Sequence, residues 1–126
     1  KVSSSLEVYN LFINQWNRDK IELLEEFKIM LLNRNNRVLG IANISSGGVS
    51  GTLVDPKIVF SIALQGNASS IVLCHNHPSG NLRPSETDVR LTKKLTECGL
   101  LLDIKVCDHI IISNQGYYSF ADEGML

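Results

Sequence analysis

Apolar residues recur along this chain with two different periods. Near the start, Val8, Leu11, Phe12, Gln15 and Trp16 share helical spacing, and Ser3 to Ser5 offer N-caps just before them. Phe27 to Leu32 (FKIMLL) and Val38 to Ile44 are short apolar runs flanking Asn33-Arg34-Asn35-Asn36. They predict two strands and a turn, arranged as a hairpin. Gly47, Gly48 and Gly51 then mark a flexible or tightly turned connection. Asp55-Pro56 predicts a helix start, a capping carboxylate followed by a proline whose φ already suits the first turn. Ile58, Val59, Ile62 and Ala63 supply the apolar stripe of that helix, and Gly66 its stop. Ile71 to Cys74 reads as a buried strand running into His75-Asn76-His77-Pro78. Ser85 opens another helix, with Leu91, Leu95 and Cys98 on one face and Gly99 at its end. Leu100 to Val106 and Ile110 to Ser113 close the chain as strands. Helices alternate with strands, so the predicted class is α/β, a mixed sheet with helices packed against it.

Composition narrows the function classes. The 126 residues carry no repeat, low-complexity block or Pro/Gly-rich linker, and residues 1–126 read as one domain. Lys and Arg number 12 against 13 Asp and Glu, a net charge of −1. That balance excludes a domain gripping nucleic acid through bulk positive charge, though not one with a local groove. No apolar run reaches the ~18 residues of a membrane span, so no membrane partner is expected. The three cysteines, Cys74, Cys98 and Cys107, are odd in number and form no CxxC pair, which favours a reducing, cytoplasmic location over a disulfide scaffold.

The chemistry concentrates between His75 and Asp88. Two histidines separated by one residue at a strand end project to the same face and can converge on one metal ion, while Asn76 points elsewhere. Pro78 cannot donate to a ladder and ends the strand. Gly80 and Pro84 help the loop turn back, and Asp88, one turn into the next helix, can supply a carboxylate ligand. Two imidazoles, one carboxylate and a position left for water form a catalytic zinc pattern rather than a closed structural one. The same donors admit iron(II), with zinc the first choice. Cys74 adjoins His75, but its side chain leaves an extended strand on the opposite face. Ser85 and Asp88 also satisfy S-x-x-[DE], so a capping box alone would account for that pair; one geometry can serve both purposes.

With these residues in place, the sequence resembles the JAB/MPN metalloprotease family, also called JAMM. That family's signature is His-x-His-Pro, six residues, then Ser-x-x-Asp, with an upstream glutamate. His75, His77, Pro78, Ser85 and Asp88 match every fixed spacing. The wording is closest to the RadC branch: His75-Asn76-His77-Pro78-Ser79-Gly80, Pro84-Ser85, Gly51-Thr52, Asp55-Pro56-Lys57-Ile58 and Asp108-His109-Ile110-Ile111, over roughly residues 5 to 124. The resemblance implies a three-layer mixed β-sheet with flanking helices, the JAB/MPN (cytidine deaminase-like) fold. It also implies Zn2+ on His75, His77 and Asp88 with water as the fourth ligand. Ser85 would donate a hydrogen bond to the oxyanion, and an upstream glutamate would act as general base. Glu25, two residues before Phe27, fits that base best and Glu26 is the alternative; two acids before a strand are otherwise ordinarily solvated. The chain departs from many RadC relatives in having Pro56-Lys57-Ile58 where they have Pro-Arg-Glu, outside the metal motif. Longer relatives also carry an N-terminal helix-hairpin-helix segment associated with DNA contact, for which these residues leave no room.

The expected function is therefore a zinc-dependent hydrolase, a metallopeptidase or isopeptidase acting on an unknown peptide or protein. The alternatives are a DNA-repair accessory binding DNA or repair partners, suggested by the family and unsupported by charge, and a metal-bearing interaction module without turnover. A zinc deaminase needs H-x-E and P-C-x-x-C and is excluded. His109 reads as a structural, hydrogen-bonded histidine, with an outer-shell or substrate-binding role as its alternative. Trp16 and Tyr9 read as core or helix-face anchors, and Lys93 and Lys94 as a solvated helix face. The loops Ser45–Thr52 and Asn114–Tyr118 are expected to shape the groove.

Overall fold

The computed structural model describes residues 1–47 and 53–126. Gly48, Gly51 and Thr52 lie outside the described residues. Helix α1 (Ser5–Gln15) is capped by Ser4, whose hydroxyl accepts from the Glu7 N–H, and it buries Val8, Phe12 and Ile13. Leu11, expected on the buried face, is exposed and Ile13 is buried in its stead, while Trp16 is buried as expected. Strands β1 (Glu26–Leu32) and β2 (Val38–Ser46) form the expected antiparallel hairpin. The Asn33 side chain closes its turn by accepting from the N–H groups of Asn35 and Arg37. Asn36 takes the left-handed conformation, φ 60°, that asparagine tolerates better than most residues.

Helix α2 (Pro56–Gln65) starts where the Asp55 carboxylate accepts from the Lys57 N–H, with Pro56 in the first turn. Its buried face is Val59, Phe60 and Ala63. The stripe is thus rotated from the expected one, with Phe60 inward and Ile58 exposed. Strand β3 (Ser70–Asn76) is buried along its whole length. Helix α3 (Glu86–Leu101) runs past Gly99, which is not its stop. Gly99 serves close approach: a Cβ there would lie 2.2 Å from the Ile104 carbonyl oxygen. The chain reverses instead at Asp103, φ 57°, so Leu100 and Leu101 end a helix rather than begin a strand. Strand β4 (Lys105–Ser113) is one element where two were expected, because Asp108 and His109 in its middle are buried and paired within the sheet. Strand β5 (Gly116–Ser119), not foreseen, folds back on β4.

The five-stranded sheet has the order β2-β1-β3-β4-β5. Only the β3–β4 pair is parallel, with α3 as its crossover; the other pairs are antiparallel. One face packs Met30, Leu32, Val72, Cys74, Ile110 and Ile112 against α1. The other packs Ile29, Leu31, Ile71, Leu73 and Val106 against α2 and α3. This is the three-layer α/β arrangement with a mixed sheet. Because β3 is central, each of its apolar side chains is fully withdrawn from water, worth ~1.5–3 kcal/mol apiece. The strand is therefore held in one register, and its C-terminal end presents a defined pair of faces. No described helix is long and apolar enough to cross a membrane.

Gly99→Ala is expected to destabilise the fold. Overpacking against backbone costs ~1–3 kcal/mol, which outweighs the ~1 kcal/mol by which alanine favours a helix. Urea unfolding should show a midpoint below wild type; an equal or higher midpoint would contradict the close approach of α3 to the Ile104 turn.

Candidate metal centre

The site is built where β3 ends. Period-two alternation sends His75 to the α2/α3 face, where its ring stacks on Phe27 of β1, centroids 5.9 Å apart. His77 lies one residue past the strand, yet its N–H still donates to the Ile112 carbonyl of β4, so its side chain emerges on the same side. The loop then turns at Gly80, φ 85°, whose N–H donates to the His77 carbonyl. This brings the Asn81 carbonyl against His77 Nδ1. A carbonyl can only accept, so Nδ1 carries a proton, and in the neutral ring His77 Nε2 is left with the lone pair.

Helix α3 brings the carboxylate. Ser85 and Asp88 form the capping box: Asp88 N–H donates to Ser85 Oγ at 3.0 Å, and Ser85 N–H donates to Asp88 Oδ2 at 2.9 Å. The box aims Asp88 at the histidines, with Oδ1 3.3 Å from His75 Nε2 and Oδ2 3.1 Å from His77 Nε2. The two Nε2 atoms are themselves 3.0 Å apart. Capping and cluster membership are thus one geometry. Ser85 Oγ, accepting from Asp88, retains its own proton to donate, and Ser85 lines the cleft that opens over the histidines.

Glu25 completes the group. Its Oε1 lies 4.0 Å from His75 Nε2, and ligand atoms of Glu25, His75 and His77 fall within 4.8 Å of one another. Glu26 turns the other way, its carboxylate accepting from the Ser46 hydroxyl of β2. The segment that carries Glu25 is held by the Gly47 N–H, which donates to the Glu25 carbonyl at 2.9 Å, and is anchored by Asn76, the residue between the two histidines. On the α1 face its fully buried amide donates to the carbonyls of Ile21 (2.8 Å) and Leu24 (3.0 Å) and accepts from the Glu26 N–H (2.7 Å). One strand end thus carries both imidazoles on one side and anchors the acid-bearing segment from the other. Asn76 does point elsewhere, as expected, but that it tethers the segment carrying Glu25 is a non-local fact the sequence did not reveal.

Charge follows geometry. Burial pushes the Asp88 carboxyl up, but hydrogen bonds from the protonated forms of His75 and His77 and from the Ser85 N–H, with the charge of protonated His75, hold it well below the usual carboxylate range. Burial pushes His77 down, and its bonds to Asp88 and the Asn81 carbonyl, with the charges of Asp88 and Glu25, outweigh that and raise it. His109 is fully buried, and burial holds it well below the usual imidazole value. It is hydrogen-bonded, as expected, but its partner is the site itself: His109 Nε2 lies 2.8 Å from His75 Nδ1. Cys74 faces the α1 core, away from the cluster. Trp16 is buried and Tyr9 stacks on Tyr117 of β5; Asn114–Tyr118, expected to shape the groove, does not line the cleft. That cleft, about 930 Å³, is lined by Glu22, Leu23, Leu53, Pro78 and Leu91 around the cluster.

The donor set fits a divalent metal ion. In a tetrahedral site with metal–ligand bonds of ~2.0–2.1 Å, neighbouring ligand atoms stand ~3.3 Å apart. The 3.0 Å between the two Nε2 atoms is close to that edge; Asp88 approaches them through different oxygens, Oδ1 at 3.3 Å from His75 and Oδ2 at 3.1 Å from His77, and Glu25 Oε1 stands 4.0 Å from His75. Ring nitrogens and a carboxylate this close must share either a proton or a metal ion.

A three-layer mixed sheet with two histidines at a strand end, facing a helix-capping aspartate, is a JAB-type domain. The family model described as "RadC-like JAB domain" matches residues 2–125, and the chain belongs to that family. It is 48% identical over 101 residues to a UPF0758 protein of Flavobacterium johnsoniae, covering 80% of this chain and 44% of that one. It is 42% identical over 126 residues to a UPF0758 protein of Alkaliphilus metalliredigens, covering 100% of this chain and 53% of that one. The chain spans about half the length of these curated relatives.

Asn76→Ala is expected to lower stability by ~3 kcal/mol or more, since it strands two carbonyls and one N–H, at ~1–3 kcal/mol per buried group. An unchanged urea midpoint would contradict the anchoring of the Ile21–Glu26 segment.

Proposed function

We propose that this domain is a zinc-dependent hydrolase of the JAMM type, a metallopeptidase or isopeptidase acting on a peptide or protein substrate. The observation that carries the reading is the convergence of His75 Nε2, His77 Nε2 and the Asp88 carboxylate at 3.0–3.3 Å, with Glu25 standing just outside them. His75, His77 and Asp88 would hold the ion. A zinc ion bound there supplies a water acidified toward pKa ~7 and polarises the substrate carbonyl.

The chain's own residues do the rest. Glu25, on the segment anchored through Asn76, accepts a proton from the attacking water as the C–O bond forms. It delivers that proton to the leaving amine nitrogen as the C–N bond breaks. Ser85, held at the cleft by the capping box, donates a hydrogen bond from its hydroxyl to the oxygen on which negative charge develops and keeps its proton. His77, with Nδ1–H on the Asn81 carbonyl, keeps its Nε2 pair directed at the ion. Leu23, Leu53 and Leu91 give the cleft apolar walls that receive substrate side chains and thin the water around the reacting groups.

Purified protein is expected to contain about one zinc per chain, and His75→Ala with His77→Ala to contain none. Retained zinc in that variant would end the ligand assignment. Against a library of peptide and isopeptide substrates, Glu25→Gln should keep its zinc and lose ~10²–10⁴-fold in kcat. Activity equal to wild type would remove Glu25 as the base.

A further inference from the structure

We infer that Thr92 and His109 form a one-way hydrogen-bond relay that holds His75 in its Nδ1–H tautomer, so that its Nε2 lone pair faces His77 and Asp88. The direction follows from counting protons. Thr92 lies on α3, one turn after Asp88, and its hydroxyl donates to the Asp88 backbone carbonyl at 2.7 Å. A hydroxyl has one proton, so at its second contact, 2.6 Å from His109 Nδ1, Thr92 can only accept. His109 Nδ1 therefore carries a proton.

The His109 ring is fully buried, stacked on Phe120 at 4.8 Å and edge-on to Phe27 at 5.6 Å. Its nitrogens meet His75 and Thr92, neither of them an anion, and an apolar slot favours the uncharged ring. A neutral imidazole protonated at Nδ1 has its lone pair on Nε2. At 2.8 Å from His75 Nδ1, that pair accepts and His75 donates. His75 Nε2 is then unprotonated, 3.3 Å from Asp88 Oδ1 and 3.0 Å from His77 Nε2. The relay closes on itself: it begins at the backbone carbonyl of Asp88 and ends facing the carboxylate of the same residue.

His109 is thus a positioning residue, acting through His75. Its consequence for zinc rests on the ligand assignment proposed above; the tautomer does not. Long-range 1H–15N correlation spectra of the metal-free, labelled protein at mildly alkaline pH read each ring directly. His75 and His109 are both expected as Nδ1–H forms, and finding His75 as the Nε2–H form overturns the relay. Thr92→Val keeps the volume, removes the acceptor, and should shift both rings toward Nε2–H; unchanged tautomers would also overturn it.

Zinc affinity supplies a second readout. His109→Phe should weaken binding ~10–100-fold, the usual range for loss of an outer partner of a ligating histidine. His109→Gln, whose amide oxygen can accept in place of Nε2, should restore most of the loss. If His109→Phe keeps both its native spectrum and wild-type affinity, the relay does not serve the metal and the ligand set stands. Should wild type bind no zinc while His75 is the Nδ1–H form, the ligand set fails and the relay stands.

Discussion

The structure depends on one strand being buried on both faces and bonded along both edges. Strand β3 lies between β1 and β4 with an apolar layer above and below, so its register is tightly held. At its end the alternation delivers one polar residue to each interior face, His75 and Asn76. Neither is reached by solvent. A buried polar group without partners costs ~1–3 kcal/mol on protein scales, so each needs a specific partner close by. Asn76 finds the backbone of the Ile21–Glu26 segment, and His75 finds His109. The site is the place where these obligations are met.

The remaining groups come from element ends. Asp88 sits in the first turn of α3, where unpaired N–H groups and the helix dipole favour an anion. The capping box that satisfies those groups also aligns the carboxylate with the two imidazoles. Stability and site geometry share the same bonds here, so the helix start cannot drift without moving the cluster. On the far side, Phe27 lies opposite His75 in the β1–β3 pairing and its ring backs the imidazole. The cluster thus has one solid wall and one side open to the cleft.

Signals that act over a few residues were legible in the chain. Asp55-Pro56, the capping pair Ser85 and Asp88, the hairpin around Asn33 to Asn36 and the histidines before Pro78 all announce themselves by local chemistry. Facts that need strand register were not. His109 meets His75 because β3 and β4 run parallel with a register shift between Ile71 and Val72, which no local pattern encodes. Thr92 carries no local signal either, because its partner His109 comes from another element. Gly99 was misread as a helix stop because a glycine needed for close packing and one needed for a turn look alike in sequence. The polar Asp108-His109 pair split β4 in two on paper, whereas burial and pairing make it continuous.

Near-zero net charge over 126 residues, which first excluded only a broadly basic surface, now sits beside a small cluster of two imidazoles and two carboxylates. The central claim is that this cluster is a metal site of nitrogen and oxygen donors. X-ray absorption at the zinc edge of the loaded protein tests it most directly. The first shell is expected to hold about four nitrogen and oxygen donors at ~2.0–2.1 Å, with the outer-shell scattering of two imidazoles. A sulfur shell near ~2.3 Å, or scattering from fewer than two imidazoles, would contradict it.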